Sequence, residues 1–130
     1  MNAGVFVLVA LAGGVGAVAR FVLDGVVRSW LRRPTVRGTV LINVSGSLLL
    51  GLIAGLAAGS VLSPVAAAII GTGFLGGYTT FSTASYEAVR LLQQHRWGAG
   101  LANAFGVIVV ATLAAGLGLW AGIALAAALA

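Results

Sequence analysis

Cysteine and lysine are both missing from the 130 residues, which hold only two acids, one histidine and two prolines. Without cysteine there can be no disulfide and no thiolate metal site, and a single histidine cannot build a zinc site. The redox compartment therefore leaves no mark on the sequence. Two carboxylates and one histidine also supply no general acid and base pair, no nucleophile triad and no ribose-binding acid, so no enzymatic function is expected. Residues 71–76 spell a literal G-x-G-x-x-G, but nothing around them suggests a strand or a βαβ unit, and the match is discounted.

Charge is the other scarcity. Charged residues make up 7% and hydrophobic ones 61% of the chain, against about 25% charged in ordinary globular domains. With a mean hydropathy of +1.15, a water-soluble fold is not expected. Four apolar stretches, about 4–23, 39–59, 65–87 and 98–128, are each long enough to cross a bilayer, which takes roughly 20 residues. They predict an all-α membrane protein with a single integral domain over 1–130. The first stretch has no basic region before it, and Asp24 and a basic loop follow it, so it is expected to stay in the mature protein rather than be cleaved as a signal peptide.

The seven basic residues, all arginine, flank apolar spans instead of forming a basic domain. Despite a pI near 11.6, their expected partners are lipid headgroups and not nucleic acid. Arg28, Arg32, Arg33, Arg37, Arg90 and Arg96 all fall in the 24–38 and 89–97 connections, and none falls in the termini or in 58–64. Short basic loops are retained in the cytoplasm. Both termini are thus predicted outside a multi-pass cell-membrane protein, with one orientation strongly preferred. Arg20, four residues before Asp24, could pair with it at helical spacing or face an aqueous vestibule and attract anions.

Small residues pattern the helices. Gly13, Gly14 and Gly16 sit in the first span, and Asn43, Ser47, Gly51, Gly55 and Gly59 step by four along the second. Such rows let membrane helices approach closely, whereas an amide such as Asn43 at that depth demands partners and so suggests a pore or binding role, with hydrogen bonding between helices as the alternative. Ser63-Pro64 predicts the start of the third span, as N-cap and first helical residue. That span then carries "GTGFLGGYTTFSTAS" over 71–85, where the double glycine is expected to break the helix. Broken backbone at membrane depth survives only when buried in protein or lining a cavity, and its freed carbonyls can hold a small hard cation. Beyond the break, Thr79, Thr80, Ser82, Thr83 and Ser85 surround Phe81 and suggest a polar pathway; the alternative is that each hydroxyl bonds back to its own helix. Asn103 and Thr112 are the evident polar side chains of the fourth span, which at 31 residues should tilt or protrude.

At "GTGFLGGYTTFSTAS" the chain resembles the CrcB/Fluc fluoride channel family. "GGVGAVARF" (13–21), "GTVLINVSGSLLLG" (38–51) and "TTFST" (79–83) are similar to its first-, second- and third-helix motifs. The resemblance implies a passive fluoride channel built from two antiparallel four-helix subunits with a broken third helix, exporting fluoride from the cytoplasm. It implies a structural, non-transported sodium ion held by backbone carbonyls, matched here by Gly76 and Thr79. It also assigns the pore asparagine to Asn43, one pore aromatic to Phe81 and the family's first-helix arginine to Arg20, a candidate for the vestibule; the hydroxyls Thr80, Ser82 and Thr83 beside Phe81 are candidates to line the fluoride pathway. Donors such as these can replace the water around a strongly hydrated anion, and a ring edge carries partial positive charge. The family's second phenylalanine is replaced by Ala84. Together with the arginine bias, which disfavours insertion of one chain both ways, this predicts a homologous second chain of opposite orientation that supplies the missing aromatic. The alternatives are a small multidrug-type proton-coupled transporter, which would need a carboxylate inside the first span, and a non-conducting partner subunit of a heterodimeric channel.

Overall fold

The computed structural model describes residues 2–31 and 37–130, with the side chain of Leu31 also left aside. Among these residues there are helices and no strands: α1 (Ala3–Leu31), α2 (Arg37–Ala58), α3 (Pro64–Ala67), a π-helix (Ala68–Leu75), α4 (Gly76–Tyr78), α5 (Phe81–Gln93) and α6 (Trp97–Leu129). They make four crossings of apolar character, Ala3–Trp30, Arg37–Ala58, Pro64–Gln93 and Trp97–Leu129. Large apolar side chains such as Phe6, Leu11, Leu113 and Leu129 face outward, as befits helices whose solvent is lipid. The all-α, four-span expectation therefore holds.

Two boundaries differ from those read in the sequence. The first helix does not stop near Leu23 but runs eight residues further, to Leu31. Its charge is accommodated because Asp24 pairs with Arg28 one turn on, at 2.9 Å. Asp24 is thereby taken by Arg28 and not by Arg20, whose Nε is buried without a partner. Arg32 and Arg33 lie outside the described residues. The third crossing likewise extends to Gln93, and a tight connection with His95 at φ 57 leads into α6.

The small-residue rows explain how the crossings meet. α2 and α6 form the most extensive pairing. They run parallel, with Gly51, Gly55 and Gly59 set against Gly118, Gly122 and Ala126. A methyl on Gly118 would overlap the Leu48 carbonyl, and one on Gly51 would overlap that of Ala115. Backbone thus touches backbone along the seam, the arrangement that gives membrane helices their van der Waals contact. A second seam of the same kind joins α1 to the π-helix and α4, where Gly16 meets the Phe74 carbonyl and Gly77 that of Gly13.

The third crossing begins as expected. Ser63 caps α3 by accepting from the Ala66 N–H at 3.2 Å, with Pro64 as the first helical residue. Its break, however, is not at the double glycine. Gly76 keeps right-handed helical angles (φ −62, ψ −39), and the chain leaves the helix at Thr79 (ψ 159) and Thr80 (φ −147, ψ 124). Gly77 is spent on close approach to α1, not on a turn. The literal G-x-G-x-x-G lies mostly in the π-helix, which settles against any nucleotide-loop role for it.

The α2–α6 seam predicts opposite outcomes for neighbouring glycines. Gly118→Val should cost about 1–3 kcal/mol through overpacking and lower the thermal midpoint of the detergent-purified protein, whereas Gly116→Ala, which meets nothing within 4 Å, should leave it unchanged or raise it.

Candidate functional site

The break at Thr79-Thr80 interrupts the main-chain ladder where no water is available to replace it. Asn43, on α2, repairs this with both ends of its amide. Its Nδ2 donates to the Thr80 carbonyl at 2.8 Å, and its Oδ1 accepts the Thr80 N–H, also at 2.8 Å. Asn43 is 8% exposed. The two bonds fix the amide's orientation, since only one assignment of O and N satisfies both. One Nδ2 hydrogen remains uncommitted.

A second contact steadies the same joint. The Tyr78 hydroxyl lies 3.1 Å from that of Ser45, and its ring stacks on Phe74 with centroids 6.1 Å apart. Gly46 allows this approach, because a methyl there would overlap the Thr79 side chain and press the Tyr78 ring at 3.1 Å. On the far side of the break, Thr80 caps α5: its Oγ1 accepts from the Thr83 N–H at 3.3 Å and donates to the Thr83 hydroxyl at 3.1 Å. Ser82 joins this cluster at 3.3 Å from Thr80 Oγ1.

These bonds release carbonyls. In a continuous helix the Thr80 N–H would bond Gly76 and the Thr83 N–H would bond Thr79, but the first goes to Asn43 and the second to the Thr80 hydroxyl. The carbonyl oxygens of Gly76 and Thr79 are thus left without their helical donors. Freed main-chain oxygens are the donors a hard cation such as sodium takes, so the residues present fit such an ion.

Beside the break lies a cavity of about 370 Å³ between α2, α5 and α6. Asn43, Ser47, Thr79, Thr80, Phe81 and Ser85 give it one partly polar wall, and Ala84, Ala104, Phe105 and Val107 an apolar one. Phe81, on its rim, is 78% exposed. Of the hydroxyls around it, Thr79 bonds back to Leu75 at 3.0 Å and Ser85 to Phe81 at 2.9 Å. The back-bonding alternative therefore holds for these two. Asn43, Thr80 and Phe81 are brought together on the cavity, whereas Ser82 and Thr83 adjoin it only through Thr80. Ser47 lines it with a hydroxyl engaged by no bond among the described residues. Arg20, on α1, stands apart from this wall. Asn103 reaches the Ala84 carbonyl at 3.5 Å, and Thr112 bonds back to Ile108.

Sequence reasoning read Ser47 only as part of a small-residue row, and it passed over the Ser45–Tyr78 contact and Thr39, which is 2% exposed and donates to Glu87 at 2.8 Å. Ser47 was legible as the residue one turn beyond Asn43. Glu87, the carboxylate of the third crossing, needed a buried donor by the cost of charge in a membrane, but no local pattern pairs it with Thr39, 48 positions away.

The profile of the family described as "CrcB-like protein, Camphor Resistance (CrcB)" matches residues 7–119. The chain belongs to the CrcB-like family. This CrcB-like protein is 58% identical over 118 residues to "Fluoride-specific ion channel FluC 1" of Leifsonia xyli subsp. xyli, covering 91% of this chain and 86% of that one. It is 47% identical over 114 residues to "Fluoride-specific ion channel FluC 2" of Mycolicibacterium paratuberculosis (88% and 90% covered). A third relative, "Fluoride-specific ion channel FluC" of Nitratidesulfovibrio vulgaris, is 46% identical over 93 residues (71% and 75%).

In this CrcB-like protein the Asn43 bracket makes a direct prediction. Asn43→Leu strands the N–H and C=O of Thr80, each at about 1–3 kcal/mol, and should lower the thermal midpoint in detergent far more than Ser47→Ala, which empties one unbonded hydroxyl position.

Proposed function

We propose that the chain is one subunit of a fluoride-specific channel that passes fluoride passively out of the cytoplasm and so lowers its level there. The observation that carries this reading is the wall around Asn43. Its uncommitted Nδ2 hydrogen, the free Ser47 hydroxyl and the Phe81 ring meet in one cavity at membrane depth. Fluoride holds its water tightly, so a path for it must offer fixed donors in exchange. An amide, a hydroxyl and an electropositive ring edge do so without the trapping charge of an arginine. The names carried by close relatives support the same anion.

The freed carbonyls of Gly76 and Thr79 would hold a hard cation, sodium in this reading, which would supply a fixed, structural positive charge. The chain's own part is to keep those carbonyls free, by sending the Thr80 N–H to Asn43 and the Thr83 N–H to Thr80. Arg20 serves at the vestibule. A second chain closes the open side of the cavity, because polar groups there could not face lipid. Pairing is antiparallel, and the partner is a homologous chain of opposite orientation, since six arginines on one side and none on the other commit this chain to a single topology. Both termini then lie outside the plasma membrane. Channel activity and not catalysis is the business of such a protein, and family membership leaves the drug-transporter alternative without support.

Fluoride efflux from loaded liposomes tests each part. In the complete complex, Asn43→Asp, which sets a negative charge on the path, and Phe81→Ile should each lower efflux by at least about tenfold, equivalent to about 1.4 kcal/mol. Unchanged efflux in both variants would make this chain a non-conducting packing subunit. Reconstituted alone, the chain should give little efflux; robust efflux without a partner would defeat the heterodimer.

A further inference from the structure

The cavity beside the break holds two aromatic rings, Phe81 on α5 and Phe105 on α6. Both are outward-facing rim residues, 78% and 65% exposed. The helices that carry them run antiparallel, and their register is fixed by two contacts. Gly100 packs against Leu92 and the Ala88 carbonyl, so closely that a methyl on it would lie 2.7 Å from Leu92. One turn along, Asn103 reaches the Ala84 carbonyl. Continuing that register sets Phe105 level with Phe81 and Ser82.

Beyond Asn103 both helices line the cavity. Ala84 on α5 and Ala104 on α6 line the space between them and are too small to fill it. Phe105 is the one large ring that α6 contributes to this wall; its other lining positions are Ala104, Val107, Ile108 and Ala111. The two rings do not stack on each other: among the described residues the stacked pair is Phe74 and Tyr78. An unstacked ring keeps its edge available, and ring edges are where an aromatic offers partial positive charge.

We propose that Phe105 is a specificity-determining residue of the fluoride path, supplying from α6 of the same chain the second aromatic wall opposite Phe81. This rests on the fluoride-channel reading and deepens it. The ring that Ala84 lacks is then provided in cis, and the partner chain need not supply it. A second consequence is that the aromatic wall is shared between two crossings, α5 and α6.

The test is fluoride efflux from liposomes holding the complete complex with Phe105→Ile, Phe105→Met or Phe105→Tyr, each checked for an unchanged elution profile in detergent. Isoleucine and methionine remove the ring, and methionine keeps an unbranched, adaptable bulk in case isoleucine impairs assembly. Tyrosine keeps the ring edge. Efflux should fall about tenfold in the isoleucine and methionine variants and stay within about twofold in the tyrosine variant, a tenfold step being equivalent to about 1.4 kcal/mol. Wild-type efflux persisting in Phe105→Met would overturn the proposal while leaving the channel reading intact. Equal losses in all three variants would also overturn it, by showing that packing and not the ring is what matters. Absence of fluoride efflux from the unmodified complex would instead remove the channel reading itself.

Discussion

One side-chain amide makes the rest of this structure possible. A membrane helix can be interrupted only if the main-chain groups it releases find partners inside the protein, and Asn43 meets both the N–H and the C=O of Thr80 at 2.8 Å. Because it takes the N–H that Gly76 would otherwise receive, the same amide both heals the break and exposes a carbonyl. Placement of the amide depends in turn on α2, which is held by its glycine seam to α6 and whose Gly46 admits Tyr78 and Thr79. Site and scaffold are therefore one construction: the small residues bring helices near enough for a short side chain to bridge them.

Much of this was legible in the sequence, for identifiable reasons. Hydropathy alone gives four crossings, since about 20 apolar residues in a row have few other uses. The four-residue step of Gly51, Gly55 and Gly59 names a helix face, and that face is buried against α6. Ser63-Pro64 marks a helix start through chemistry that is entirely local. Asn43 stood out because an amide at that depth must be partnered, although its partner, 37 positions away, could not be named.

What was misread shares a common cause: residue type was legible but its tertiary employment was not. Gly76-Gly77 looked like the break because glycine weakens helices, yet Gly77 serves close approach to Gly13 while the threonines leave the helix. Arg20 and Asp24 have the spacing of an ion pair, but so do Asp24 and Arg28, and the latter pair forms at 2.9 Å. Six serines and threonines in 71–85 suggested a lined pathway, and Thr79, Thr80 and Ser85 do line the cavity. Five of the six divide among back-bonding (Thr79, Ser85), capping (Thr80) and partnership with the cap (Ser82, Thr83). The free hydroxyl on the cavity belongs to Ser47, from a different helix.

The π-helix of Ala68–Leu75, which packs against α1 and α2, has no forerunner in the sequence pattern. Each residue in such a stretch advances less around the helix axis than it would in an α-helix. The eight residues therefore act as a phase shifter between the entrance of the third crossing and its break. They decide which compass direction Tyr78 and Thr79 face on arrival at Asn43. Gain or loss of a single residue upstream would rotate the whole joint away from its amide, so in this crossing the count of residues is as tightly constrained as their identity.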